Sequence, residues 1–262
     1  MESINNVDDY SYTSYYADIL FDDLKIGSAT TFIYEYKSKA YLVTNWHVVT
    51  GRDAFTNTIL DKNYASIPNK LKLQFFYKHN EELDYKAYIV SLYDKNDEPL
   101  WYEHELDNKR IDIAIIPMVL GEEIVVYPVN TTEEPFNEET MPEVREDVFV
   151  LGYPFGFDGG GGLPIWKRAS IASEPSVKIN GLPIIYVDTA SRPGMSGAPV
   201  VYKERRTAVL INEEKRYFSR YKTKFVGIYS GRTGAMDNYD VQLGIVWKAE
   251  LIEMIIDQNE TH

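Results

Sequence analysis

Residues 188–202 read DTASRPGMSGAPVVY, with Ser196 set in Pro193-Gly194-Met195-Ser196-Gly197-Ala198-Pro199. A serine hydroxyl serves as a nucleophile when its Oγ stands clear of the backbone and amide N–H groups aim at the same point. Gly194 reaches backbone angles closed to other residues, so its N–H can turn in beside that of Ser196. Two such donors form an oxyanion hole, which stabilises a tetrahedral intermediate by several kcal/mol once water is excluded. Gly197 leaves room for an acyl group. The competing reading is a glycine-rich turn between two strands, in which Ser196 has no chemical role.

A hydroxyl needs a neighbouring base. The chain has four histidines, His47, His79, His104 and His262. His47 ends the apolar run Tyr41-Leu42-Val43-Thr44-Asn45-Trp46-His47-Val48-Val49. Asp112 heads Ile111-Asp112-Ile113-Ala114-Ile115-Ile116, a run that reads as a buried strand. A carboxylate there is costly to bury alone, and an imidazole N–H would partner it and orient the ring toward Ser196. A structural acid at a strand end is the alternative for Asp112. His79 reads as part of a hairpin turn and His104 as solvated. Trp46 either covers the histidine or fills core.

Taken together, T-N-x-H-V-V, D-I-A-I and R-P-G-M-S-G-A-P-V-V, in the order His, Asp, Ser, resemble the chymotrypsin/trypsin-like serine peptidase superfamily. The style is that of its cysteine-free bacterial branch, which includes HtrA-type proteases. Gly152-Tyr153-Pro154-Phe155-Gly156 is similar to the G-x-P-x-G that opens the second barrel there. The similarity runs in patches from about Gly27 to Trp247. An α/β-hydrolase order fits poorly, because His262 alone follows Ser196.

The resemblance implies an all-β fold of two packed six-stranded antiparallel barrels with a C-terminal α-helix. Residues 1–135 would form a lead-in and first barrel carrying His47 and Asp112. Residues 136–262 would form the second barrel carrying Ser196, plus the helix. It implies a serine endopeptidase with catalytic His47, Asp112 and Ser196, an oxyanion hole from Gly194 and Ser196, and no metal or cofactor. The substrate is a protein or peptide. Asp188–Pro193 would wall the primary pocket with Ala190 at its base, where trypsins that cleave after Lys or Arg carry an acid, although Asp188 is near enough for a shifted loop to bring it in. Ser230, Gly231 and Arg232 would lie along the bound substrate, with Ser230 supporting Asp112. Arg232 reaches toward the pocket or points to solvent. Small apolar and acidic preferences are both open. A catalytically silent binding or sensor module and a small-ester hydrolase are the other function classes.

Composition bounds these readings. The chain has 262 residues, 44% hydrophobic and 26% charged, as in a water-soluble globular protein. Its 21 tyrosines favour strands, and it has no cysteine, so packing must replace disulfides. A net charge of −13 opposes attraction to nucleic acid or to an anionic membrane. No basic segment leads an apolar run at the N-terminus and no apolar stretch reaches membrane-spanning length, so the expected location is cytoplasmic. A cytoplasmic protease must be restrained, which points to a regulatory partner or effector acting on the glycine-rich Gly156–Gly162 loop. That loop lacks the following Gly-Lys-Ser/Thr of a P-loop.

Along the chain, Tyr15–Leu24 reads as a short helix in the acidic lead-in. Thr30–Tyr36 and Ala40–Thr44 read as a hairpin around Lys37-Ser38-Lys39. Leu71–Tyr77 and Ala87–Tyr93 read as strands, with Glu123–Val129 closing the first barrel. Asn130–Arg145 reads as an acidic connection. Asp147–Leu151, Lys167–Ser173, Pro183–Val187, Val200–Leu210 and Tyr217–Tyr229 supply the second barrel. The last two flank a basic hairpin from Lys203 to Lys224 that either faces water or docks an acidic partner. Trp247, Leu251, Met254 and Ile255 fall at helical spacing, as a terminal helix packed on the second barrel.

Overall fold

The computed structural model describes residues 7–61, 65–79, 82–132, 141–205, 209–211, 214–216, 221–232 and 243–260. The first segment to depart from expectation is Ser14–Phe21, which is strand β1 and not a helix. Its Tyr15 and Ala17 alternate inward, and tyrosine fits a pleated surface better than a helix. β1 pairs antiparallel with both β2 (Leu24–Tyr36) and the later strand Lys70–His79, so it is an interior strand. Asp18 is tolerated there because Lys25 and the Tyr16 hydroxyl both reach it at 2.7 Å.

β2 turns into β3 (Lys39–Thr44) through Lys37 and Ser38, both at positive φ, which matches the twist of a tight two-residue hairpin. A one-turn helix α1 (Trp46–Thr50) follows, closed by Gly51 at φ +66°. β4 (Lys70–His79) and β5 (Glu82–Ser91) form the next hairpin, and β6 (Ala114–Met118) pairs with β3. Residues 123–129, expected to close a six-stranded barrel, supply only the short β7 (Ile124–Val125), which pairs with β4. The result is a seven-stranded sheet in the order β5-β4-β1-β2-β3-β6 with β7 beside β4.

The second unit is a closed six-stranded barrel, β8-β9-β10-β13-β12-β11. Its strands are β8 (Asp147–Gly152), β9 (Ile165–Ile171), β10 (Ile184–Asp188), β11 (Pro199–Arg205), β12 (Tyr221–Arg232) and β13 (Leu243–Lys248). α2 (Glu250–Glu260) ends the described chain. Trp247, read above with the helix, belongs to β13 and is fully buried. The buried stripe of α2 is Leu251, Ile252, Ile255 and Ile256.

The helix does not rest on the second barrel alone. Its apolar stripe joins a core shared by Phe32, Tyr41 and Val43 of the first unit with Val201, Ile228 and Trp247 of the barrel. Its polar face is tied to the β2–β3 hairpin. Tyr34 donates to Glu253 at 2.7 Å, Tyr36 to Asp257 at 3.1 Å and Tyr41 to Glu260 at 2.7 Å. Lys37 and Lys39 pair with Asp257 and Glu260 at 2.6 and 2.9 Å.

The acids of 133–140 and, in the basic hairpin, Arg206 and residues 217–220 lie outside the described residues. Lys203 of that hairpin does not face water: it is mostly buried, paired with Asp8 and set over the Trp166 ring. No helix among the described residues is long and apolar enough to cross a membrane.

Candidate active site

His47 is delivered by α1 at the end of β3, and Asp112 by the segment leading into β6. Asn45, at the start of α1, donates its side-chain amide to the Asp112 carbonyl at 2.8 Å and so fixes the two segments together. The Asp112 carboxylate accepts the His47 backbone N–H at 2.9 Å on one oxygen. Its other oxygen lies 2.8 Å from His47 Nδ1 and accepts the Ser230 hydroxyl. With Nδ1 engaged by a carboxylate, Nε2 is the nitrogen left free for proton transfer.

Burial alone would push the His47 imidazole down, but the Asp112 charge and hydrogen bond outweigh it and hold the ring above its ordinary value. For Asp112, burial pushes the carboxyl up. His47 and Ser230 outweigh that and hold it below the usual carboxylate range. The pair therefore keeps an ionised acid behind a more basic imidazole, the electrostatics that a general base needs.

Ser230 and Gly231 sit where the β12–β13 register shifts, between Tyr229 and Arg232. The irregularity takes them out of the ladder and aims them at the site, a frequent use of a bulge. A Cβ on Gly231 would lie 3.9 Å from Ser196 Oγ and 4.0 Å from Ser191 Oγ. Ser230 thus touches the acid while its neighbour borders the serine. Ser196 Oγ makes no hydrogen bond to His47 or to any other described residue.

The loop carrying Ser196 is held by its carbonyls. Thr30 Oγ1 donates to the Gly194 carbonyl at 2.8 Å and Thr30 N–H to the Ser196 carbonyl at 2.9 Å. The Pro193 carbonyl accepts Phe155 N–H at 2.7 Å, and the Met195 carbonyl accepts Ala198 N–H at 3.1 Å. Every peptide among the described residues is trans, so each amide N–H points opposite to the carbonyl of its own peptide. Gly194 N–H and Ser196 N–H are therefore turned away from Phe155 and Ala198, and neither has an acceptor among the described residues. Gly194 N–H and Ser196 N–H are thus two donors of this loop without an acceptor among the described residues.

A cavity of about 160 Å³ lies on the histidine side, lined by His47, Asp53, Ala54, Phe55, Leu60, Asp112 and Ser230. Ser196 is not among its lining. Trp46 is buried behind it and donates to Glu103, which also accepts Trp101 Nε1 and Arg110, so this ring is a braced core element. Ala190 is half-buried in the chain between Thr189 and Ser191. The Arg232 side chain lies outside the described residues. No group of three His, Asp or Glu among the described residues could hold a metal ion.

Thr30 and Phe155 escaped the sequence reading. Thr30 looks like any inward residue of a strand, and the part played by Phe155 is that of its backbone, which no side-chain pattern reports.

Residues 29–209 match the family model described as trypsin-like peptidase domain. No curated protein matches the chain in sequence. Among solved structures, the chain is similar to the inactive form of a serine-to-alanine mutant of Rv3671c from M. tuberculosis H37Rv. The identity is 16%, over 95% of this chain and 86% of that one, with a TM-score of 0.46. It is also similar to the serine endoprotease from Yersinia pestis at 12% identity, over 97% of this chain and 66% of that one, with a TM-score of 0.49.

Proposed function

We propose, from the premise that this chain belongs to the trypsin-like peptidase family, that it is a serine endopeptidase acting through His47, Asp112 and Ser196. The observation that carries this reading is the bond set of Asp112: one carboxylate holds the His47 ring and takes the hydroxyl of Ser230, whose neighbour Gly231 borders Ser196.

In the reaction, His47 Nε2 takes the proton of Ser196 as Oγ bonds to the carbonyl carbon of the scissile peptide. The carbonyl π electrons move onto oxygen, which sits against the N–H groups of Gly194 and Ser196. Collapse of this intermediate breaks the C–N bond, and His47 gives its proton to the departing amine. A water then loses a proton to His47 and attacks the acyl-enzyme; as the C–Oγ bond breaks, His47 returns that proton to Oγ, releasing the acid and regenerating Ser196. Asp112 stays ionised throughout, favouring the imidazolium and fixing the tautomer.

In this reading the unit of residues 1–135 supplies the base and its acid and that of 136–262 the nucleophile. A regulatory partner or effector would work through residues 153–162. Phe155 N–H orients the Pro193–Gly194 peptide, and the hydroxyls of Tyr85 and Tyr153 hold the Gly161 and Gly162 carbonyls.

The test is fluorophosphonate labelling with peptide turnover, comparing wild type with Ser196→Ala. Labelling and amide hydrolysis that both vanish in the variant are expected. A chain that takes no label is a binding module, and one that labels but cleaves only esters is an ester hydrolase.

A further inference from the structure

We propose that Lys167 is a specificity-determining residue that selects an acidic side chain on the substrate residue whose carbonyl Ser196 attacks. The inference rests on the peptidase reading above and adds the substrate class.

Lys167 lies on β9, next to the strand that leads into the Ser196 loop. Its Nζ donates to Thr189 Oγ1 at 3.0 Å. Thr189 is buried, and its hydroxyl proton goes to the Arg168 carbonyl at 3.2 Å, so its orientation is fixed. Only one of the three ammonium protons is thereby used. No carboxylate among the described residues lies within ion-pair distance of Lys167. Burial first, and the nearby Arg192 guanidinium second, push the Lys167 ammonium down. Arg192 donates to the Ser191 carbonyl at 2.8 Å and also lacks a carboxylate among the described residues.

Other lysines that meet no carboxylate among the described residues, such as Lys72, Lys78, Lys95 and Lys178, are exposed, whereas Lys167 is half-buried in a chain of net charge −13. Elsewhere Lys25, Lys37, Lys39, Arg110, Arg168 and Lys203 each meet a carboxylate. A partly desolvated ammonium is costly to keep charged, and a ligand carboxylate relieves that cost.

The position fits the chemistry. Gly231 lies beside both Ser196 and Ser191, and Thr189, two residues before Ser191, holds the Lys167 head. In this proposal a substrate side chain entering between Ser191 and Gly231 runs toward the Thr189 hydroxyl and the Lys167 ammonium it holds. Glutamate reaches farther than aspartate toward Lys167. Ala190 adds no charge of its own, so the selecting charge comes from the neighbouring strand.

The test uses the full chain with matched amide substrates carrying Glu, Leu or Lys before the scissile bond. Wild type should prefer Glu over Leu by at least about tenfold in kcat/KM, and Lys167→Met should erase that ratio while leaving Leu turnover within about threefold. Preference for Lys or Leu, or an unchanged ratio in Lys167→Met, overturns the inference and leaves the peptidase reading intact. If no substrate is turned over and fluorophosphonate fails to label, the peptidase reading falls. The pocket is then judged on Ser196→Ala with amidated peptides ending in Glu or Leu. Tighter binding of the Glu peptide, lost on adding Lys167→Met, supports the acidic pocket, and equal binding overturns it.

Discussion

A Cβ placed on Gly194 would lie 2.3 Å from the Tyr153 carbonyl oxygen, at a residue whose φ is +90°. Both obstacles are backbone, so Gly194→Ala can be accommodated only by moving the loop. That turns the Gly194 N–H away from its proposed place in the oxyanion hole, and loss of one such donor costs about 10²–10³ in kcat. The variant should keep fluorophosphonate-accessible Ser196 but label and turn over at least about a hundredfold more slowly. The His47–Asp112 pair gives a second expectation at this scale. The base must be neutral to act, so kcat/KM should climb as pH rises through an apparent pKa above the 6.5 of an ordinary imidazole. The stability carried by the raised His47 pKa has the opposite sense: it is full below 6.5 and is lost as pH rises through the folded value. Asp112→Asn removes the charge that raises the ring and leaves the burial that lowers it. Its kcat/KM should fall by on the order of 10⁴, with the residual acid limb displaced to lower pH.

At the level of elements, α2 is held by its apolar stripe within and by carboxylates without. Leu251, Ile252, Ile255 and Ile256 are each at most 3% exposed, and burying such a side chain is worth about 1.5–3 kcal/mol. Removing residues 250–262 exposes core of both units at once, so the shortened chain should fail to give a cooperative thermal transition. The Asp257 and Glu260 carboxyls are held below the usual range, chiefly by Lys37 and Lys39 respectively. A depressed carboxyl contributes stability above its unfolded pKa and loses it as pH falls through the folded value. Hydrogen exchange should therefore show α2 amides losing protection below pH about 4 ahead of barrel amides such as those of β10. The β2–β3 hairpin beneath α2 was legible in the sequence because Thr, Tyr, Ile and Val runs flank a polar turn. β1 was not, since Tyr15, Ile19 and Leu20 also fit a helical face and only its two strand partners decide against it. The types and order of His47, Asp112 and Ser196 could be read because each sits in a local motif. Lys167 and Thr30 could not, because their roles come from neighbours in space that no spacing along the chain records.

Across the whole molecule, the first sheet and the barrel meet at Thr30, a fully buried strand residue whose contacts reach both. Its Oγ1 donates to the Gly194 carbonyl and accepts Tyr153 N–H at 3.2 Å, while its backbone carbonyl accepts the Thr44 hydroxyl at 3.1 Å. One residue thereby joins the strand before α1, through its carbonyl, to the segment opening the glycine-rich loop and the Gly194–Met195 peptide, through its hydroxyl. Thr30→Val keeps the shape and the backbone bond to Ser196 but leaves the Gly194 carbonyl and the Tyr153 N–H without that partner in a buried place. Leaving buried polar groups unpaired costs about 1–3 kcal/mol, so the melting temperature should drop by several degrees. If the hydroxyl also sets the loop, the rate of fluorophosphonate labelling should fall by more than tenfold at temperatures where the variant is fully folded (about the effect of a partly misaimed donor). Thr30→Ser, which keeps the oxygen and loses only a methyl, should recover the labelling rate while remaining less stable than wild type. Labelling at the wild-type rate in Thr30→Val, despite a lowered melting temperature, would reduce Thr30 to a fastener between the units and leave Phe155 N–H as the group that aims the oxyanion hole.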